Sequence, residues 1–448
     1  NPFIDTEDDR HSTFGLDVDT ASYTVARRYL DDGNLPPAAA VRVEEMVNFF
    51  KYGDRPPARG DFAIHAEGAP TPYTQGERYR MVRFNIRGRE VDTRNRKPAA
   101  LTFVVDVSGS MDMENRLGLV KRALGLLLDE LRDSDEVGLV VYGDRADVLL
   151  EPTNDREAVR RAIGRLVPTG STNAEAGIAL GYDVAARNFR PGGINRVILC
   201  SDGVANVGAT GPQSILARID REARRGIELT TLGFGMGNYN DVLMEQLADK
   251  GDGRYSYIDS LDEAERVLVE ELTGTLQTIA RDAKVQVEWN PETVERYRLL
   301  GYENRDIADE RFRDDTVDAG EIGAGHSVTA LYEVKLRPSV GRNETLGTLR
   351  LRWESPETEK VTEIEKDLRL SDLAGSWNQA STALRLAATV AEYAEILKGS
   401  YWAKDGDMSR VAREAREAAS KMRSDKTVDD FANLASQAAR LKRQAVPR

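Results

Sequence analysis

Between residues 99 and 260, short apolar runs alternate with amphipathic stretches, and few folds accommodate that alternation. The runs LTFVVD (101–106), VGLVVY (137–142), RVILCSD (196–202), ELTTLGF (228–234) and RYSYI (254–258) have the apolar texture of strands covered on both faces. After the first run, Leu117, Val120, Leu124, Leu127 and Leu131 recur at helical spacing, and further helices fit 173–189, 212–225 and 239–249. This order predicts a doubly wound, parallel α/β sheet. The turn Gly143-Asp144-Arg145, between VGLVVY and ADVLL, predicts a hairpin that adds one antiparallel edge strand.

The flanks have a different period. In RMVRFNIR (80–87), Val82, Phe84 and Ile86 alternate with Arg83 and Asn85; in KVQVEW (284–289), Val285, Val287 and Trp289 alternate with polar residues. Period two predicts antiparallel strands with one wet face, and LYEVKL (331–336) and LRLRW (349–353) have the same character. Neither flank has enough strands for a sandwich of its own. The expected organisation is one β-rich, sandwich-like domain (61–98 and 276–370) interrupted by the α/β domain (99–275), with two separate small sheets as the alternative. Residues 1–60 form a region of their own. From Ser371 the chain turns helical, so 371–448 is a C-terminal helical region: Leu384, Ala388, Ala391 and Glu395 mark one helix, and Phe431, Leu434, Ala438 and Leu441 another. Thr427 followed by Asp430 predicts a capping box for the latter. A chain of 448 residues suits several cores.

Charge narrows the function classes. A formal net charge of −13 excludes a broad nucleic-acid or anionic-membrane surface, which needs excess Lys and Arg. No stretch approaches the ~20 apolar residues of a membrane span. Cys200 is the sole cysteine, so no intrachain disulfide can form, and neither CxxC nor Cys/His metal spacing exists. The chain opens at Asn1 without an initiator Met, and a leader segment is expected to precede it.

The candidate site follows from the frame. Functional groups in an open α/β sheet gather beyond the carboxyl ends of the strands. Asp106 ends the first run in VVDVSGSM, with Ser108 and Ser110 following at i+2 and i+4; Asp202, in CSDG, ends a later strand at the same edge; Thr172, in TGSTNAEAG, precedes the helix that leads there. Carboxylates and hydroxyls without His or Cys suit a hard cation such as Mg²⁺.

These residues are similar to a known pattern: D106-V-S108-G-S110, Thr172 and S201-D202-G203 resemble the metal-ion-dependent adhesion site of von Willebrand factor type A domains. The flanking NPFIDTEDDRHSTFGLDVDTASY, LPPAAAVRVEEMVNFF, RLLGYENR and DAGEIGAGHSVTALYE resemble bacterial cell-envelope proteins of that type, typically lipoproteins. The resemblance implies Mg²⁺, with Mn²⁺ or Ca²⁺ as substitutes, held by Asp106, Ser108, Ser110, Thr172 and Asp202, some through water. It implies one open position for an Asp or Glu carboxylate of a protein partner. It also implies a periplasmic or surface location, with membrane attachment only through a lipid anchor; the signal peptide and lipid-bearing Cys of such proteins are not among these residues.

Rival readings are weaker. Ser110 as a nucleophile lacks a base, since residues 99–280 contain no His, and GxSxG is missing; His11, His65 and His326 read as packed or surface residues. Asp17 and Asp19 in LDVDTAS resemble the DxDxT start of haloacid-dehalogenase-type phosphatases, but Ala21 stands where Thr belongs and no parallel sheet follows. GFGMGN (233–238) lacks the third glycine of a dinucleotide loop, Asn238 standing there, and is expected to be a tight turn. Trp353, Trp377 and Trp402 read as core residues. The expected protein is a metal-dependent binding protein and no enzyme, with a structural scaffold and, third, a phosphohydrolase as the alternatives.

Overall fold

The computed structural model describes residues 1–16, 19–74, 76–92, 95–203, 212–235, 241–272, 276–317, 319–422 and 425–445. Two units separate, Asn1–Glu90 together with Thr278–Arg448, and Val91–Gln277. The first opens with strands β1 (Ile4–Asp5) and β2 (His11–Gly15), helices α1 (Ala21–Asp31) and α2 (Val43–Asn48), and strands β3 (Phe62–Pro70) and β4 (Tyr79–Gly88). The second contains β5 (Ala99–Asp106), α3 (Arg116–Glu130), β6 (Glu136–Tyr142), β7 (Ala146–Thr153), α4 (Arg156–Gly164) and α5 (Ala174–Arg187). It continues with β8 (Ile194–Ser201), α6 (Pro212–Ala223), β9 (Glu228–Phe234), α7 (Asp241–Lys250) and β10 (Tyr255–Ile258). The chain returns to the first unit with β11 (Thr278–Trp289), β12 (Val294–Leu300), β13 (Ile322–Gly323), β14 (Ser327–Leu336), β15 (Thr345–Glu354) and β16 (Val361–Arg369). Helices Thr382–Lys398, Met408–Lys421 and Lys426–Ala445 follow.

In the second unit the sheet order is β10-β9-β8-β5-β6-β7. All pairs are parallel except β6 with β7, the hairpin that Gly143 closes by donating its N–H to the Arg145 carbonyl at 3.1 Å. Every residue of β5 and of β8 is buried, which is why both are mostly apolar or small; the exceptions at the start of β8 have partners, Asn195 accepting the Arg190 N–H at 2.7 Å and Arg196 pairing with Glu228. On one face Leu117, Val120, Leu124 and Leu127 of α3 pack with Phe103, Val105 and Cys200. On the other, α5 lies so close that a Cβ on Gly181 would come 2.3 Å from Val104 Cγ2. Helix starts are set locally: Asp155 caps α4 and Asn173 caps α5, each side chain accepting backbone N–H groups of the first turn. The consequence for function is topological. From β5 the order runs outward to β6 on one side, while β8, β9 and β10 lie on the other, so the order in which strands are added reverses between the parallel neighbours β5 and β8. A crevice at the carboxyl ends of those two strands is where ligands bind in such sheets.

The first unit is a sandwich with a helical layer. One sheet has the order β1-β12-β14-β4-β3; the other has β13-β11-β15-β16, with β2 added against β11. Trp289 of β11 packs against Tyr332 and Tyr297 with ring centroids 5.2 and 5.8 Å apart, and against Phe84 of β4. Strands from both flanks therefore share one core. Gly88 at the end of β4 meets Ile279 at the start of β11, where a Cβ would lie 2.9 Å from Ile279 Cδ1. The N-terminal and C-terminal stretches, distinct by sequence texture, join this unit: Tyr23, Leu30, Met46 and Phe49 share a hydrophobic cluster with Leu384, Val390, Val411 and Phe431, and with Met81 and Leu331 of the first sheet.

Four expectations are corrected here. Two of the strands expected to have a wet face, β4 and β11, do not, whereas β15 keeps the alternation, with Leu349, Leu351 and Trp353 buried and Arg350 and Arg352 half-buried between them: in β4, Arg83 is 1% exposed and Asn85 fully buried. The reason is the helical layer and the segment after α2, from which Asp54 pairs with Arg83, while Asn85 donates to Ser327 and Thr329 hydroxyls at 2.7 and 3.0 Å. In β11 the segment after β12 covers the polar face, where Lys284 donates to the Asp314 carbonyl and Gln286 to the Asp309 carbonyl. The last helix begins at Lys426, not with a Thr427 box; Asp425 caps it, accepting from the N–H of Thr427 at 3.0 Å and of Val428 at 3.3 Å. Trp353 is a core residue as its sequence suggests, but Trp402 is 43% exposed and stacks edge-on with Phe3 and Tyr401.

Candidate metal centre

The DxSxS stretch is shaped by its own side chains. Asp106, the last residue of β5, accepts the Ser108 N–H at Oδ1 (2.8 Å), an Asx turn that stops the strand and reverses the chain. A 3₁₀ segment, Gly109–Asn115, then leads into α3. Ser108 Oγ and Ser110 Oγ lie 3.1 Å apart as a result. Asp106 and Ser108 are buried and Ser110 is half-buried.

Two neighbouring loops close on this turn. Val107 donates its N–H to the Tyr142 carbonyl at 2.9 Å, and Thr169 and Gly170 meet it through Thr169 N–H to Val107 O (2.5 Å) and Gly109 N–H to Gly170 O (3.0 Å). Thr172 follows two residues on, half-buried, its hydroxyl making no hydrogen bond among the described residues. Asp144 in the β6–β7 turn pins that loop, accepting both the N–H and the hydroxyl of Ser171 at 2.7 Å, and these bonds hold its carboxyl below the usual range. From the other side, Ser201 at the end of β8 donates its hydroxyl to Asp106 Oδ2 at 3.1 Å. Gly203, at φ +80°, turns the chain just after Asp202. All five residues singled out by sequence thus lie on the crevice edge of one sheet.

The carboxylates and hydroxyls of the site suit a hard cation. Burial pushes the Asp106 carboxyl above its usual value, the Ser108 and Ser201 hydrogen bonds counter this in part, and the nearby Asp202 carboxylate adds to the rise. The Tyr142 phenol, raised well above its usual value by burial and then by the Asp106 charge, has no geometrically sound hydrogen bond among the described residues. Two like-charged groups and a stranded hydroxyl in one buried place fit a hydrated hard ion, and every donor is oxygen. Cys200 is no ligand, because its thiol is buried in the core and pushed far up by burial.

Sequence reasoning missed Arg116. This residue, the first of α3, donates from Nη1 to Asp202 Oδ2 at 2.9 Å and to the Ser110 carbonyl at 3.3 Å. Its position ten residues after Asp106 gives no local signal for a contact with Asp202.

Comparison with known proteins settles the family. Residues 101–204 match the family model "von Willebrand factor type A domain", residues 1–83 match "von Willebrand factor", and residues 274–441 match "Uncharacterized protein YfbK, C-terminal". The Escherichia coli (strain K12) protein described as "Uncharacterized protein YfbK" is 37% identical over 445 residues, covering 93% of this chain and 76% of that protein. The chain belongs to the YfbK family of von Willebrand factor type A domain proteins. A Synechocystis sp. relative, "Uncharacterized protein sll0103", is 25% identical over 365 residues, covering 77% of this chain and 82% of that one. A solved structure described as von Willebrand factor type A from Catenulispora acidiphila covers 83% of this chain and 89% of its own at 16% identity, with a TM-score of 0.46. None of the matching family descriptions names an enzymatic activity.

Outside the von Willebrand factor type A domain, Asp17 lies beyond the described residues, while Asp19 is buried with Arg305 Nη2 at 3.6 Å. The Asn238 end of GFGMGN is likewise outside them. Among the described residues, Asp9, His11 and Asp309 also gather, one ligand atom from each within 4.8 Å of the others. Their oxygens serve the local fold: Asp9 accepts the His11 N–H at 2.9 Å and Asp309 the Thr13 hydroxyl at 2.5 Å. No helix among the described residues is long and apolar enough to cross a membrane.

Proposed function

We propose that this protein binds a protein partner of the bacterial cell envelope through a divalent cation, Mg²⁺ with Mn²⁺ or Ca²⁺ as substitutes, at Asp106, Ser108, Ser110, Thr172 and Asp202. The observation that carries this reading is the meeting of Asp106, the Ser108–Ser110 hydroxyl pair and Asp202 at the topological reversal between β5 and β8. When bound, the cation supplies an electrophilic position for an Asp or Glu carboxylate of the partner. Asp106 and Asp202 bring the negative charge that such an ion requires. The serine and threonine hydroxyls add neutral donors, and the Ser171–Asp144 bonds keep the Thr172 loop in place. An envelope location, with attachment by a lipid anchor, belongs to the same proposal and is supported by the resemblance of the flanking segments to envelope lipoproteins.

Calorimetric titration of Mg²⁺ and Mn²⁺ into the protein tests the site, and acetate titrated into the Mn²⁺-loaded protein, followed by water-proton relaxivity, tests carboxylate capture. Binding of the metal, with acetate displacing its water, is expected. No metal binding at millimolar concentration would falsify the site. Metal binding without any acetate effect would leave the ion a stiffener of the loops and the protein a scaffold.

A further inference from the structure

The site contains a positive charge that the adhesion pattern does not ask for. Arg116 holds Asp202 at 2.9 Å with side chains 5% and 0% exposed, and the same guanidinium reaches the carbonyl of Ser110. The fold makes room for it. Gly235, just past β9 and at φ +80°, faces the guanidinium so closely that a Cβ there would come 2.0 Å from Arg116 Nε and 2.4 Å from Cδ. Residues far apart in sequence thus shape one seat for this charge, and the second glycine of GFGMGN acquires a purpose beyond a turn.

From this placement we infer that Arg116 is a specificity-determining residue of the cation site, weakening the bare metal while strengthening capture of an anionic ligand; the inference rests on the metal-dependent reading above. The guanidinium charge is buried, which spares it the screening that makes surface charges weak. Asp106 and Asp202 alone would neutralise a divalent cation. Arg116 makes the loaded centre one charge more positive, so a carboxylate arriving there meets a stronger attraction than it would without the arginine. The same charge competes for Asp202 and repels the incoming cation. Arg116 therefore acts with opposite sign on the two ligands, whereas a merely structural arginine would lower both affinities together.

The experiment uses the full chain, Mn²⁺ calorimetry, and acetate titration of the Mn²⁺-loaded protein by water-proton relaxivity. Arg116→Gln is expected to bind Mn²⁺ about tenfold more tightly and acetate several-fold more weakly than wild type. Arg116→Lys, which keeps the charge, is expected to stay within about threefold of wild type on both. Should Arg116→Gln not fold, Gly235→Ala decides by the same titrations, since its methyl displaces the guanidinium and is expected to shift both affinities in the Gln direction. Affinities that move together, or do not move, overturn the inference while leaving the site intact. A wild-type protein that binds no Mn²⁺ overturns both the inference and the reading beneath it, so the two failures are distinguishable.

Discussion

Arg96–Asp135 and Arg116–Asp202 lie in the same unit and are alike in chemistry and burial: arginine to aspartate at 2.6 and 2.9 Å, with side chains 5% and 0% exposed in each pair. They differ in what surrounds the carboxylate. Asp135 accepts from Arg96 on both oxygens and from the backbone N–H groups of Ala99 and Arg132 at 2.8 Å each. Burial alone would raise its carboxyl, yet these donors outweigh it and hold the group below its usual range. Asp202 instead lies beside a second carboxylate, Asp106, which is raised by burial and by that neighbour. Asp135 serves the amino end of β5, whose first residue it holds, and Asp106 is the last residue of the same strand. Saturation with donors makes a lock. At the other end of the strand, two carboxylates gathered at the crevice, one of them raised by burial and by its neighbour, form the site proposed above for a cation.

The comparison breaks most visibly if the lock is removed. Asp135→Ala strands a buried guanidinium and two backbone N–H groups, and is expected to cost about 3–5 kcal/mol in urea denaturation while leaving Mn²⁺ affinity unchanged. A loss well under 1 kcal/mol would show that the two ends of β5 are not built differently. At the other end, Asp106→Ala should leave the melt in EDTA close to wild type. It should lower Mn²⁺ affinity about a hundredfold or more and abolish the stabilisation of about 2.7 kcal/mol that Mg²⁺ at a hundred times its Kd confers on wild type. Ser108→Ala removes only a neutral oxygen and is expected to weaken Mn²⁺ about tenfold, less than Asp106→Ala, in the same calorimetry.

Acid sharpens the contrast in a smaller way. The Asp135 carboxyl is depressed in the folded state, so its contribution is complete above the unfolded value of about 3.9 and is lost as pH falls through the lower folded value. Chemical denaturation in that acid window should show wild type approaching Asp135→Asn, whereas the gap between them is constant from pH 5 to 7. The smallest effect belongs to Cys200 on β8, whose buried thiol should stay unlabelled by a thiol reagent in native protein with or without Mg²⁺. Rapid labelling would mean that the β8 edge opens.

Legibility followed the range of the interaction. The strands β5, β6, β8, β9 and β10, the hairpin at Gly143 and the helix α3 were all readable, because burial on two faces, turn chemistry and helical spacing act over a few residues. The Asx turn at Asp106 is equally local. Arg83, Asn85, Lys284 and Gln286 were misleading: alternation shows that two faces differ, but a polar face can be covered when the covering segments supply Asp54, Asp314 or Asp309, or the neighbouring strand supplies Ser327, as partners.

By itself, then, the sequence determined the α/β alternation, the period-two flanks and the oxygen-rich turn after β5, since each is written in residues that touch their neighbours along the chain. The tertiary structure alone decided that N-terminal and C-terminal helices share one core, that Asp106 and Asp202 meet across the β5–β8 reversal, and that Arg116 reaches Asp202 through the space left by Gly235. Those contacts join residues dozens to hundreds of positions apart. Spacing carries no record of them, because they depend on which strand the chain places beside which.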